Sequence, residues 1–337
     1  MMKYVPFGRT GLIVSQAILG TGNFGTRWGH GADPDTSRAI FEVYAQAGGN
    51  FIDTANSYQF GQSEEILGDL LQGRREDFVL ATKFTGSDSK EPVRLATGNS
   101  RRAMVASVEA SLRRLKTDRI DLYWVHHPDH MTPSDELVRG LDDLARAGKI
   151  LYGGLSNFPA WRVARAATIA ELTHALPIAA VQFEHSLVQR ASESDIVRAA
   201  TALGLGMATW SPLGGGMLTG KYRQGEKGRL EGFGGKVFQA ENTRQRSDIL
   251  DTVIAIAEGL GVSADQVAIA WAASRGTVPI LGPRSLDQLA SNLRGVALEL
   301  SAQEMARLDA VSRPVDVGST EANGDFFRTA ADGLAVA

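Results

Sequence analysis

Four residues of this chain carry groups that could move a proton together: the carboxylate Asp53, the phenol Tyr58, the amine Lys83 and the imidazole His126. Asp53 closes the short apolar run Phe51-Ile52, Lys83 closes Phe78-Val-Leu-Ala-Thr, and His126 closes Leu122-Tyr-Trp-Val. Tyr58 follows Asp53 across a turn-forming stretch. A phenol can hand a proton to a reacting oxygen if a neighbour lowers its pKa from about 10, and Lys83 is the candidate neighbour. Alone, each of the four reads as an ordinary polar residue near a strand end. Together they fall at successive strand ends, where α/β folds present chemistry at the carboxyl edge of a sheet.

The elements that must position them alternate along the chain. Lys3-Tyr-Val5 and Leu12-Ile-Val14 flank a turn and predict a small hairpin. Strand 17–19 precedes a helix that Asp33 caps, with Pro34 at its first position, and that Gly48-Gly49 ends. Then come strand 51–53 with helix 64–71, strand 78–82 with helix 100–115, and strand 121–125 with a helix capped within Thr132-Pro-Ser-Asp135. Strand 150–155 precedes helix 159–171, and strand 179–183 precedes helix 192–203. A Gly-rich stretch, 212–245, separates strand 207–210 from helix 247–260. Ser263-Ala-Asp-Gln266 has capping-box spacing for a helix through Arg275. Strand 278–281, a helix from Ser285 and a last helix at Ser301-x-x-Glu304 follow.

Eight strand–helix units in one direction, with no break in composition, predict an α/β fold. The expected form is a closed (β/α)8 TIM barrel with an N-terminal β-hairpin and extra C-terminal helices. Residues 1–337 would form one domain, with hairpin 3–14, barrel 17–293 and a C-terminal helix and tail over 301–337. Two flavodoxin-like domains would need a linker near the middle, and Ala147-Gly-Lys-Ile150 is only a tight turn.

Charged residues make up 22% of the chain and hydrophobic ones 43%, which suits a soluble protein with a substantial core. A net charge of -3 without a long basic run gives nucleic-acid binding no support. Cysteine is absent, which removes disulfides and thiolate metal sites and fits a cytoplasmic location. No apolar signal core opens the chain and no run is long enough to span a bilayer, so no membrane partner is expected.

Other motifs are weaker singly. Gly20-Thr21-Gly22-Asn-Phe-Gly25 matches a dinucleotide fingerprint, but Thr26 through Ala32 intervene before the next helix, so it reads as a glycine-rich loop that a ligand can approach. In His126-His127-Pro-Asp-His130, strand alternation sends one of the first two rings into the barrel mouth and the other away, and no metal site is expected. Ser156, Asn157 and Gln182 end strands with groups suited to an amide, although Ser156 or Asn157 also fits as a helix cap. Trp210 offers a flat indole at the next strand end, for stacking on a planar ring or for packing. Gly282-Pro-Arg284-Ser285 lies after the eighth strand, where barrels often bind phosphate. Arg284 could add a charge-assisted grip there, and Gln288 could serve a cap.

The combination resembles the aldo-keto reductase superfamily over nearly the whole chain. The likeness rests on Gly49-Asn-Phe-Ile-Asp-Thr-Ala-Asn-Ser-Tyr58, Thr82-Lys83, Asp121-Leu-Tyr-Trp-Val-His126, Gly154-Leu-Ser-Asn-Phe158, Val181-Gln-Phe-Glu184, Trp210-Ser-Pro-Leu-Gly-Gly-Gly-Met-Leu-Thr-Gly-Lys221 and Gly282-Pro-Arg-Ser-Leu-Asp-Gln-Leu-Ala-Ser-Asn292. Trp210 places it nearer the bacterial reductase and potassium-channel β-subunit branch. The resemblance implies NADPH-dependent reduction of aldehyde or ketone carbonyls, with Asp53, Tyr58, Lys83 and His126 as the catalytic tetrad. It implies that Ser156, Asn157 and Gln182 hold the nicotinamide carboxamide and that Trp210 stacks on the ring. Ser211, Pro212, Leu213, Gly214, Gly215, Gly216, Lys221 and Arg229 would line the pyrophosphate, and Gly282, Arg284, Gln288 and Asn292 the adenosine end. Gly20, Thr21, Gly22 and Asp53 would border the cofactor from the first strands. Ser291 stands where an acidic residue often faces the adenine. Phe24, Trp28, Tyr58, Phe84, Trp124, His126 and His127 are the candidates for an aromatic-walled substrate mouth. An NADPH-binding sensor with little turnover and a lyase forming a Schiff base on Lys83 are the competing readings; neither substrate identity nor oligomeric state is legible.

Overall fold

The computed structural model describes residues 2–129, 131–225 and 239–314. Strands β1 (Tyr4–Pro6) and β2 (Ile13–Ser15) form the antiparallel hairpin, with Val5 opposite Val14. The barrel strands are β3 (Ile18–Gly20), β4 (Phe51–Asp53), β5 (Val79–Phe84), β6 (Ile120–Val125), β7 (Ile150–Ser156), β8 (Ile178–Glu184), β9 (Gly206–Trp210) and β10 (Val278–Leu281). Each pairs in parallel with its neighbour in the chain, and β10 closes the ring onto β3. The fold is a (β/α)8 barrel with an N-terminal hairpin. Parallel pairing throughout requires a crossover after each strand, and the helices supply it.

The helices are α1 (Pro34–Gln46), α2 (Gln62–Leu70), α3 (Arg101–Leu115), α4 (Ser134–Arg146), α5 (Ala160–Leu172), α6 (Ile196–Leu203), α7 (Arg244–Leu260), α8 (Ala264–Ala273), α9 (Leu286–Ala297) and α10 (Ala302–Val311). Residues of opposite parity on each strand face two cores. Phe51, Ala81, Leu122, Trp124, Ala180 and Ala208 fill the barrel interior, while Ile52, Leu80, Phe84, Tyr123 and Val181 meet the helices. The hairpin plugs the amino-terminal end of the barrel: Phe7 is buried in the interior cluster, its ring edge-on to Phe51 at 5.3 Å. The carboxyl-terminal end is left for function.

Local signals behave unevenly. Asp33 caps α1 by accepting from the Thr36 amide, and Ser301 with Glu304 forms a full capping box on α10. Ser263 makes no cap bond to α8; Gln266 instead donates to Ser291 Oγ at 3.0 Å, because α8 packs tightly on α9 at Gly295. Thr132 does not cap α4 either, since its hydroxyl donates to Asp129. The helix expected over 192–203 is interrupted at Asp195, where Arg190 and His185 hold Glu193 in a preceding 3-10 turn. Among the described residues no single helix is long and apolar enough to cross a membrane.

Candidate active site

Strand parity delivers the first three side chains. Phe51 faces the barrel interior, so Asp53 does too; Ala81 brings Lys83 with it. Leu122 and Trp124 set the direction for His126, which follows β6 directly and donates its amide to the Phe84 carbonyl at 3.2 Å. Tyr58 arrives differently. Asn56 N bonds to Lys83 O at 3.0 Å and Tyr58 N to Ala55 O at 3.1 Å, so the chain after β4 folds back over the end of β5.

The four groups converge at the carboxyl-terminal mouth. Lys83 is fully buried, and its ammonium bonds Asp53 Oδ1, the Thr54 carbonyl at 2.7 Å and the Tyr58 hydroxyl at 3.1 Å. It also sits 4.7 Å from the centre of the Tyr58 ring. Gln182 crosses the barrel to donate to Asp53 Oδ2 at 2.9 Å, so both carboxylate oxygens are engaged. The His126 ring stands nearly perpendicular to Tyr58, with centroids 6.0 Å apart. Burial alone would depress the Lys83 pKa; the charge of Asp53 and the bonds to Asp53 and Tyr58 outweigh it and raise it above its usual value. Burial first, then the nearby Lys83 charge, holds His126 well below the ordinary imidazole range. The same two causes lower His127.

The expectation that His126 and His127 diverge is corrected. Their rings stack at 4.2 Å with planes 15° apart, because β6 ends at Val125 and strict alternation lapses beyond it. Asn157 joins them. Its Nδ2 donates to the His126 carbonyl at 3.0 Å and lies 3.2 Å from His127 Nδ1, while its Oδ1 accepts from Trp210 Nε1 at 3.0 Å. Asn157 also donates to Ser156 Oγ at 3.0 Å, and neither residue caps α5, whose cap is Pro159. Asn157 and Ser211 both hold positive φ, 62° and 60°, at the ends of β7 and β9.

The remaining candidates divide. Gly20 packs on β10, where a Cβ would meet Ile280 at 2.5 Å, and the Thr21 hydroxyl donates to the Asp53 carbonyl at 3.2 Å. Gly22 lies against Tyr58: a Cβ there would sit 3.6 Å from the ring. Beyond Ser211, Pro212 and Leu213 lead into a 3-10 segment in which Gly214, Gly215 and Gly216 all have positive φ. The Lys221 ammonium lies 3.2 Å from the position of a Cβ on Gly216. Gly282 accepts from Asn23 at 2.7 Å, Gln288 Oε1 accepts from the Arg284 amide at 3.0 Å, and Asn292 is buried on α9. Arg284 is exposed immediately before Ser285, the cap of α9. Arg229 lies outside the described residues.

The aromatic mouth is narrower than expected. Phe24 and Phe84 are fully buried among strands and helices, Phe84 stacked on Tyr123 at 5.1 Å, and Trp124 is enclosed in the barrel interior. None of the three lines an opening. Trp28 does stand by the tetrad, its ring edge-on to Tyr58 at 6.1 Å. Gln59, next to Tyr58, is fully buried, which nothing in the sequence around it signals for a polar side chain.

A profile of the aldo/keto reductase family matches residues 17–313. The uncharacterized oxidoreductase YrpG of Bacillus subtilis is 35% identical over 91% of this chain and 95% of its own length. The aryl-alcohol dehydrogenase [NADP(+)] of Phanerodontia chrysosporium is 34% identical over 89% of this chain and 83% of its own. Norsolorinic acid reductase of Aspergillus flavus is 34% identical, with 91% and 80% covered. With the barrel, the buried Asp53–Lys83–Tyr58 cluster and this likeness in place, the chain belongs to the aldo/keto reductase family of oxidoreductases.

Proposed function

We propose that the protein reduces small or aromatic aldehydes and ketones to alcohols with NADPH, with Tyr58 as the proton donor. The observation that carries this reading is the Lys83 ammonium, which bonds Asp53 and the Tyr58 hydroxyl at once in a buried position. A nicotinamide, when bound, would supply a hydride to the carbonyl carbon. The part of this chain is to hold the Tyr58 hydroxyl beside Lys83, from where its proton would pass to the carbonyl oxygen as negative charge develops there. Lys83 steadies the phenolate left behind, and Asp53 with the Thr54 carbonyl keeps the ammonium in place. His126, held neutral, donates a hydrogen bond to the developing alkoxide without adding a second charge beside Lys83.

The donor set suits a phosphate-bearing dinucleotide. Arg284, exposed and without an ion pair among the described residues, stands at the α9 N-terminus, and Lys221 sits beside the glycine run. Gln182 commits its Nε2 to Asp53, which leaves its Oε1 to accept from a carboxamide. Reductases of this family generally use NAD(P)H, and the Phanerodontia relative carries NADP(+) in its name. The test is Tyr58→Phe assayed with NADPH and an aryl aldehyde. Turnover should fall on the order of 10²–10⁴-fold while cofactor affinity holds; near-wild-type turnover would remove Tyr58 from the reaction.

A further inference from the structure

The loop between β3 and α1 is pinched at its base, where Phe24 bridges Ala32 and Gly25 N bonds Ala32 O at 2.7 Å. Its tip carries Trp28. What grips that tip is a neighbour of Tyr58: Gln59 accepts from the Trp28 amide at 2.8 Å and donates to the His30 carbonyl at 3.0 Å and the Gly22 carbonyl at 3.4 Å. Its amide therefore bonds three main-chain groups of one loop while its side chain is fully buried. Gln59 and Phe60 both have left-handed backbones, with φ of 52° and 53°. Residues with a Cβ rarely adopt that conformation, and two in succession persist only where surrounding contacts hold them. The result is geometric: the Trp28 ring meets Tyr58 at 6.1 Å and Phe60 at 6.3 Å, both edge-on.

We propose that Gln59 is a specificity-determining positioning residue, which fixes Trp28 as a rigid wall beside the Tyr58 hydroxyl so that the site favours flat aromatic carbonyl substrates over small aliphatic ones. This rests on the reductase reading of the site. Gln59 itself is enclosed and touches no substrate; it acts by removing the freedom of the loop tip before binding, so that an aryl ring meets a preformed surface. A small aliphatic aldehyde has little area to place on that surface and gains less from its rigidity. Gln62 supports the same tip by accepting from the Thr26 and Arg27 amides at 2.9 and 3.1 Å. The Arg27–Glu65 pair is half-exposed and contributes less.

Gln59→Gly tests the assignment, because glycine accepts the left-handed backbone while the whole side chain, with its amide, is removed. Gln59→Asn is the second variant: asparagine tolerates that backbone, but its amide is one methylene too short to make the same three bonds. In both, amide hydrogen exchange across residues 23–31 should speed up, and the ratio of kcat/KM for an aryl aldehyde to that for a short aliphatic aldehyde should fall about tenfold. In a Trp28→Ala background, Gln59→Gly should leave that ratio where Trp28→Ala put it. Unchanged exchange overturns the clamp. Faster exchange with an unchanged ratio overturns the specificity role, as does an equal drop in both backgrounds. If wild-type protein reduces no carbonyl with NADPH, the reductase reading fails, and the exchange comparison still decides whether Gln59 holds the loop.

Discussion

Gln182 and Asp53 lie on opposite sides of the barrel mouth, on β8 and β4, and the Gln182 amide donates to Asp53 Oδ2 at 2.9 Å. With Lys83 on Oδ1, the carboxylate is satisfied on both oxygens although the residue is only 2% exposed. Gln182→Met keeps most of the volume and removes the donor. An unsatisfied buried oxygen costs about 1–3 kcal/mol, which should appear as a lower urea midpoint. A midpoint unchanged from wild type would mean that water reaches Oδ2.

Lys83→Met should be more damaging than its lost contacts suggest, since it leaves Asp53 charged, buried and unpaired. Breaking one side of such a pair costs on the order of 3–5 kcal/mol. Asp53→Asn combined with Lys83→Met should recover part of that loss, because it removes the stranded charge. Urea unfolding of the two single variants and the double variant closes the cycle. A double variant as unstable as the sum of the singles would show that the two residues do not act on each other.

Acid should destabilise the protein through His126. Its folded pKa lies well below the reference value of 6.5, lowered first by burial and then by Lys83. Between the folded and unfolded values the unfolded chain binds more protons, so stability rises with pH across that window and is lost as pH falls below 6.5. The slope contributed by one histidine is at most about 1.4 kcal/mol per pH unit. Unfolding of wild type and His126→Leu at pH 7.5 and pH 5.5 should therefore converge or cross at the lower pH. Parallel losses in the two proteins would assign the acid sensitivity elsewhere.

Parity explains both what the sequence revealed and what it concealed. Asp53 and Lys83 were legible as inward-facing because each lies within its strand, two residues past an inward apolar side chain. The same rule excludes Phe84, which adjoins Lys83 and so must point to the helices, where it stacks on Tyr123. Trp124 has the right parity but lies one layer deeper, against Gly154, where a Cβ would meet its ring at 2.4 Å; depth is a property of the closed barrel, invisible along one strand. The stacking of His126 on His127 and the left-handed Gln59-Phe60 turn lie beyond the strand ends, where local pattern no longer fixes direction. Capping boxes were equally dependent on surroundings. Ser301 and Glu304 pair as their spacing says, whereas Gln266 is drawn away by Ser291 on the neighbouring helix.

Arg284 should divide the two nicotinamide dinucleotides. It is exposed, precedes the cap of α9, and has its own amide tied to Gln288 Oε1 at 3.0 Å, which anchors the main chain while the guanidinium reaches outward. A cation so placed recognises a phosphate monoester far better than a hydroxyl, since only the phosphate offers charge and a bidentate edge. Arg284→Ala should therefore weaken NADPH by roughly 10-fold to 100-fold and leave NADH nearly unaffected, measured by titrating cofactor fluorescence. Being solvent-facing, the proposed contact should also fade with salt, so any preference for NADPH that rests on it should shrink between low ionic strength and about 0.5 M. Equal weakening of both cofactors would instead assign Arg284 to the shared part of the dinucleotide, and a preference untouched by the substitution would move the recognition of the phosphate to another residue.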